Sequence, residues 1–325
     1  MKRHQQILLG VLVLQVILSV IVFWPRQVSS GSGELIFPDI TVDDMVGLTI
    51  TDNTGGSIVM RKVDGGWTLP EAGDYPAKED SIKPVIEKLI TLDKATLVAR
   101  SEANHNQLEV AEDKFQRRLD VETADGKTIT IFLGTAPRYT ATHFRVSGQP
   151  ETYLTTAVSS WEFYTRPTSW VDAVYIAVDQ ATVTGAVLEN AQGTFTFVKS
   201  GEDWSLADLQ EGETISAGAT NAIVRNASTL SLSVPLGKTE DAAYGLDAPN
   251  AVVTLETEDG ATHVLLVGAR NAEDNTYVIK SSDSPYYVRV SDYLVSAMVE
   301  NGRESFLTLP PTPTPEADST ATPAP

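Results

Sequence analysis

Apolar and polar residues alternate through residues 46–69, VGLTITDNTGGSIVMRKVDGGWTL, and again through residues 183–206, VTGAVLENAQGTFTFVKSGEDWSL. Each stretch alternates, breaks at a Gly-containing turn, alternates again and ends on Trp-x-Leu. That pattern predicts a β-hairpin with one buried face. The two stretches align without a gap at an offset of 183 − 46 = 137. In that register Val46 meets Val183, Asn53 meets Asn190, Gly56 meets Gly193, Lys62 meets Lys199 and Trp67 meets Trp204. A repeat of this length points to a duplicated domain, not a solenoid unit.

The pattern then changes period. In EDSIKPVIEKLITL (79–92), Ile82, Val85, Ile86, Leu89 and Ile90 share one helical face, with Asp80 or Ser81 as cap and Pro84 in the first turn. Its weaker counterpart, AGATNAIVRNASTL, keeps Ala219, Ala222, Ile223, Ala227 and Leu230 together. ATLVAR (95–100) reads as a strand, and LSVPLGK (232–238), broken by Pro235, as an edge strand. RLDVETADGKTITIFLG (118–134) matches the stretch from Ala251 at an offset of 253 − 119 = 134, each with Asp-Gly at a hairpin turn. Strand pairs follow around 144–146 with 153–154 and around 277–279 with 286–290. Short helical segments close each copy near 155–164 and 291–299.

The N-terminus has a different character. Residues 7–24, ILLGVLVLQVILSVIVFW, would give about 27 Å of helix, near the thickness of a bilayer core. Lys2 and Arg3 precede the run, which places the N-terminus in the cytoplasm and the rest outside. A cleavable signal peptide ending near Val28-Ser29-Ser30 is the competing reading, and the run is long for one. The expected organisation is a cytoplasmic segment (1–6), a transmembrane anchor (7–24) and a linker (25–36). A first repeat (37–164), a connector (165–173), a second repeat (174–301) and a Pro/Thr-rich disordered tail (302–325) follow. The fold class is α+β: an N-terminal transmembrane helix, then two repeats of antiparallel hairpins, each packed with one amphipathic helix.

Charge narrows the partners. The chain of 325 residues carries 24 Lys and Arg against 43 Asp and Glu, a net −19. Such a surface repels phosphate backbones and argues against nucleic-acid binding. With no cysteine, disulfides, thiolate catalysis and Cys-ligated metals are excluded. Residues 39–164 hold 13 Lys and Arg against 20 acids (−7), and residues 174–301 hold 6 against 18 (−12). Against that background the basic group Lys114, Arg117, Arg118 offers a dock for an acidic partner face, or reads as a plain surface cluster.

Candidate chemistry is thin. Outside the leading segment the histidines are His105 in a polar loop, His143 on a strand and His263 on a strand, none in a metal-ligand spacing. Gly237-Lys238-Thr239 resembles the end of a phosphate loop, but Leu232 stands where the first glycine is required. Glu122 and Glu256 recur in both copies, as a paired acidic feature or as solvent-facing residues. NAEDN (271–275) offers oxygen ligands for a weak calcium site, without the spacing of an EF-hand loop. No catalytic, cofactor or metal residue is assigned. Trp161 and Trp170, near the connector, are expected to pack the two copies together.

The apolar N-terminal run, the paired Trp-x-Leu stretches, AYGLDAP (243–249) before a strand-Asp-Gly-strand unit, and the Leu133-Gly134 turn form a recognisable set. In these features the chain resembles a bacterial domain-of-unknown-function family of membrane-anchored, internally duplicated envelope proteins. Copy one departs from the Tyr-Gly-Leu-Asp-x-Pro motif, reading EDKFQRRLDV in that region. Members of the family are often associated with gliding-motility-type ABC-transporter auxiliary proteins. The resemblance implies an accessory role at an envelope transporter and supplies no catalytic residue. The motif itself has a structural explanation: Gly245 permits a turn and Leu246 plugs the core. The expected function is a non-enzymatic, single-pass extracytoplasmic binding or scaffold protein. The alternative is an extracytoplasmic hydrolase acting on cell-wall or glycan substrates through paired carboxylates.

Overall fold

In a computed structural model, which describes Gln15 and residues 33–308 apart from 202, the alternating runs become two large antiparallel sheets. The first comprises β1 (Met45–Asp52), β2 (Ser57–Val63), β3 (Gly66–Leu69), β4 (Tyr75–Pro76), β5 (Leu97–Ala99), β6 (Arg117–Thr123), β7 (Thr128–Leu133), β8 (Thr142–Val146) and β9 (Thr152–Thr155). Their order is β4-β3-β2-β1-β6-β7-β8-β9-β5. After β10 (Val174–Ala177) come β11 (Val183–Asn190), β12 (Gly193–Ser200), β13 (Asp203–Leu206), β14 (Thr229–Ser231) and β15 (Val234–Gly237). The set ends with β16 (Ala251–Thr257), β17 (Thr262–Asn271), β18 (Thr276–Ser281) and β19 (Tyr287–Ser291). The second sheet runs β13-β12-β11-β16-β17-β18-β19-β15, the same order as the first without a counterpart of β4. β10 and β14 pair separately.

The Trp-x-Leu ends are third strands, not hairpin tails. Asp64 (φ 50°) and Gly65 (φ 87°) turn the chain after β2, so that Trp67 on β3 pairs with Lys62. Trp204 on β13 pairs with Lys199 in the same way. Trp67, Leu69, Trp204 and Leu206 all face the core.

Strand pairing also corrects the gapless alignment. Met45 pairs with Thr123 and Val183 with Thr257, each followed by a bulge at Gly47 or Gly185. β1 therefore matches β11 at 183 − 45 = 138, whereas Lys62 matches Lys199 at 199 − 62 = 137. The difference is one residue in the first turn. Asp52 and Asn190 end the two strands and organise those turns. Asp52 Oδ1 accepts from the Thr54 and Gly56 amides (2.9 Å each), and Asn190 Oδ1 accepts from Gln192 N–H (2.8 Å).

Helix α1 (Glu79–Leu89) buries Ile82, Val85, Ile86 and Leu89, the expected stripe, each side chain stabilising by about 1.5–3 kcal/mol. Lys78 is its N-cap and makes no side-chain cap, so neither Asp80 nor Ser81 fills that role. Pro84 lies in the second turn, where its missing N–H removes one helical hydrogen bond. A short α2 (His105–Leu108) follows. In α3 (Ala217–Ser228) the buried face is Thr220, Ile223, Val224 and Ala227, rotated from the expected alanine face. Its last residue precedes β14, which carries Leu230. Helix α4 (Asp292–Glu300) packs beside α3 on the second sheet. Beyond the tail boundary drawn from composition, Phe306 is fully buried between the Phe195 and Phe197 rings (5.2 and 5.0 Å).

The α+β expectation, with a transmembrane helix leading two one-helix repeats, is overturned. Antiparallel sheet dominates the described residues, and the second sheet carries two helices. The physical cause is the prevalence of two-residue alternation over helical stripes in the sequence. Among the described residues no helix is long and apolar enough to cross a membrane. Residues 7–24, to which the span was assigned, lie outside the described residues apart from Gln15.

The buried apolar side chains form one cluster running through both sheets. At the joint, Tyr75 and Tyr286 rings lie 4.6 Å apart, and Tyr286 Oη donates to the Asp74 carbonyl (2.9 Å). Gly73 and Gly237 meet backbone to backbone, and Lys78 N–H donates to the Trp170 carbonyl (2.6 Å). Trp170 is buried, as expected at the connector. Trp161 is half exposed and stacks on Tyr139 (6.2 Å) instead of joining the units.

Candidate functional site

A cavity of about 480 Å³ opens where β10 lies beside the second sheet. Its polar lining is acidic: Asp179, Glu258, Asp259 and Asp283, with His263 among them. Local turn chemistry places each group. Asp179 caps the turn before β11, accepting from Ala181 N–H (3.0 Å). Asp259 closes the Asp-Gly hairpin between β16 and β17, accepting from Thr257 Oγ1 (2.6 Å) and Ala261 N–H (3.1 Å). Those two bonds hold its carboxyl below the usual carboxylate range. Tyr175 also lines the cavity, its hydroxyl donating to the Tyr286 carbonyl (2.6 Å) and accepting from Ser281 N–H (3.0 Å). Burial raises the Tyr175 pKa, so the phenol stays neutral.

His263 Nδ1 lies 2.8 Å from Asp283 Oδ2. Ser282 donates its hydroxyl to Asp283 Oδ1 (3.2 Å) and accepts from Val264 N–H (3.0 Å). Its hydroxyl is thus directed at the carboxylate, which is not the serine–histidine–carboxylate order of an activated nucleophile. What the cavity presents is a negative surface in which three carboxylates, Asp179, Asp259 and Asp283, are fixed by internal hydrogen bonds.

The other candidate residues are scattered. His105 is buried, contrary to the polar-loop expectation, with Nε2 2.9 Å from the Pro150 carbonyl. His143 on β8 is buried 2.9 Å from Thr135 Oγ1, and burial lowers its pKa. Glu122 and Glu256 lie in different sheets. Each pairs across from a bulge glycine, Gly47 or Gly185, and Glu122 also binds Arg61 (2.9 Å). A Cβ on Gly47 would come within 2.8 Å of Glu122 Oε2, whereas one on Gly185 would lie 3.6 Å from Glu256 Oε2. The basic group also disperses. Arg117 donates to the Phe163 carbonyl (2.6 Å), Arg118 pairs with Asp120 (3.1 Å) and Lys114 stands 4.0 Å from Glu109.

The Asn271–Asn275 turn is occupied by a cation of the chain itself: Arg270 donates to Asn275 Oδ1 (2.8 Å) and Asp292 Oδ2 (3.0 Å). Among the described residues no group of three or more His, Asp or Glu gathers as metal ligands. Lys238 lies over the Tyr286 ring at 4.9 Å, part of the joint.

The Tyr244-Gly245-Leu246 turn packs on Gly268, where a Cβ would lie 2.2 Å from the Tyr244 carbonyl. Gly245 has φ 64°, and Leu246 is half-buried over Gly268. The first unit builds the same turn from Leu108-Glu109-Val110 over Gly134, with Glu109 at φ 56°. The non-glycine residue hid that equivalence. Tyr175, Asp179 and Asp283 carried no sequence signal for a shared cavity, since β10, a turn cap and the β18–β19 loop meet only in the fold.

Two matching antiparallel sheets fused through a glycine- and tyrosine-lined joint, with an acid-lined cleft on the second, define this class of protein. The chain belongs to a domain-of-unknown-function family, DUF4340, whose model matches residues 67–249. That segment begins on β3 and ends just before β16, so it contains Gly73, Tyr75, Trp170 and Gly237 of the joint but not Tyr286. Neither a curated protein nor a solved structure matches the chain.

Proposed function

We propose that this chain is a non-enzymatic binding or scaffold protein of the cell envelope. In this reading the apolar run 7–24 attaches it to the membrane, the N-terminus is cytoplasmic, and the two sheets stand outside the cytoplasm. It serves there as an accessory to an ABC-type transport complex. The observation that carries the binding role is the acid-lined cavity, in which turn-forming hydrogen bonds hold Asp179 and Asp259 and His263 holds Asp283, so that these three present a fixed surface at little ordering cost. The attachment rests on the pattern of residues 2–24, and the transporter association on the resemblance to the envelope family.

The two units read as copies of one ancestral unit. The shared strand order, the bulges at Gly47 and Gly185 and the paired turns over Gly134 and Gly268 support that origin. The hydrolase alternative asks for a carboxyl held protonated near neutral pH. Among the described residues, the carboxyls displaced from their ordinary range, Asp44, Asp52, Asp125, Glu213 and Asp259, all move down. Crosslinking in native membranes followed by capture of the full-length chain tests the proposal. Recovery of transporter subunits is expected, and their reproducible absence would refute the transporter association.

A further inference from the structure

We propose that a second cavity, between the β12–β13 hairpin and α3, binds the carboxylates of an acidic peptide segment of a partner protein. The cavity has a volume of about 420 Å³ and is lined by Gln180, Ala181, Lys199, Trp204, Asn221 and Arg225. It lies on the unit with 6 basic against 18 acidic residues, yet its two charged liners are both cations. Lys199 Nζ donates to the Ala181 carbonyl (3.0 Å), and among the described residues neither cation pairs with a carboxylate.

The first unit shows what a structural version of this place looks like. Its equivalent lysine, Lys62, meets the carboxylate of Asp43 (3.4 Å). The strand register places Ala181 where the first unit has Asp43, since 181 − 43 = 138, the offset of β1 and β11. The buried stripes of α1 and α3 match at 220 − 82 = 138, which sets Arg225 on Glu87 and Asn221 on Lys83. The first unit's four positions, Asp43, Lys62, Lys83 and Glu87, sum to zero. The second unit's four sum to +2. Both carboxylates are lost while the number of cations stays at two, in the lining of a cavity.

The chemistry favours a carboxylate over a phosphate. Arg225 offers a planar fork matched to carboxylate geometry, and the Gln180 and Asn221 amides supply further donors. Arg225 stands in the last turn of α3, where the helix dipole is negative, in a unit of net −12. Both fields penalise a dianion about twice as much as a monoanion. The inference rests on the binding role proposed above and specifies one partner surface for it.

The test uses the full-length protein in mild detergent and a fluorescein-labelled hexaglutamate peptide, read by fluorescence polarisation. Saturable, salt-sensitive binding is expected, weakened about tenfold or more by Arg225→Glu or by Lys199→Ala, the loss of one charge-assisted contact. Ala181→Asp restores the first unit's internal partner at an exposed position, leaves the core untouched, and should weaken binding similarly. Lys62→Ala should leave it unchanged. Binding unaffected by all three cavity variants would overturn the site. Displacement of the peptide by inorganic phosphate more readily than by acetate at equal ionic strength would overturn the carboxylate assignment. Captured transporter subunits without hexaglutamate binding would sink this site alone. Hexaglutamate binding without captured subunits would support this site and sink the transporter association alone.

Discussion

Gly73 meets Gly237 backbone to backbone at the joint, and replacing it with alanine tests what that contact contributes. Its φ of +64° is left-handed, and a Cβ there would lie 3.0 Å from Lys238 N and 3.1 Å from Gly237 Cα. The obstacle is backbone, fixed at Gly237 by β15, so it cannot rotate aside as a side chain would. The left-handed conformation alone costs alanine about 1–2 kcal/mol. Crowding of packed backbone adds about 1–3 kcal/mol. Gly73→Ala should therefore destabilise by about 2–5 kcal/mol, a large share of the roughly 5–15 kcal/mol of a typical domain. Gly126→Ala is the matched control. Gly126 has a similar φ of +81° with nothing within 4 Å, so only the conformational cost of about 1–2 kcal/mol applies. Urea unfolding of the full-length chain, followed by tryptophan fluorescence, measures both, with Trp170 reporting on the joint itself. If Gly73→Ala proves no more costly than Gly126→Ala, the glycine contact does not hold the sheets together.

Asp52 provides a pH test. Its burial would raise its pKa, but hydrogen bonds from Thr54, Thr165 and Gly56 outweigh that and lower it to about 2. The folded value lies below the unfolded one of about 3.9, so this stabilisation is complete above about pH 4 and is lost as pH falls to about 2. The stability gap between wild type and Asp52→Asn should shrink across that window, and a gap unchanged at its acid end would contradict the assignment. Truncating Trp204 or Trp67 to alanine should cost about 3–5 kcal/mol each. Because the buried cluster is continuous through the joint, hydrogen-exchange protection should fall in both units. Loss confined to the mutated unit would show that the joint does not couple them.

Much of the strand and helix layout was legible because it depends on local pattern. The Asp-Gly turns, the Ile82–Leu89 stripe and Pro235 at a sheet edge all declare themselves within a few residues. What stayed hidden depends on distant partners. His105 stands in a polar stretch, yet the Pro150 carbonyl, on the loop between β8 and β9, buries it. Phe306 belongs to the core because Phe195 and Phe197 leave room for its ring, which composition near a Pro/Thr-rich tail does not reveal. The acid-lined cavity gathers residues from β10, a hairpin turn and the β18–β19 loop, none of them adjacent in sequence.

The one-residue gap between the units was within reach of the pattern itself. At the gapless offset of 137, buried Leu48 and Ile50 fall on Gly185 and Val187, which face the other side of their strand. A slip of one residue exchanges the two faces of a strand, so alternation alone selects 138, where Leu48 and Ile50 meet Ala186 and Leu188. Residue identities such as Val46 with Val183 pulled the alignment the other way. The choice has a chemical consequence. At 137, Asp43 falls on Gln180, a substitution that merely softens a surface ion pair. At 138 it falls on Ala181, whose carbonyl receives Lys199 in place of the lost carboxylate. The register that buries the strand correctly is therefore the one that leaves Lys199 beside Arg225 without an acidic counterpart among the described residues, in the more acidic half of the chain.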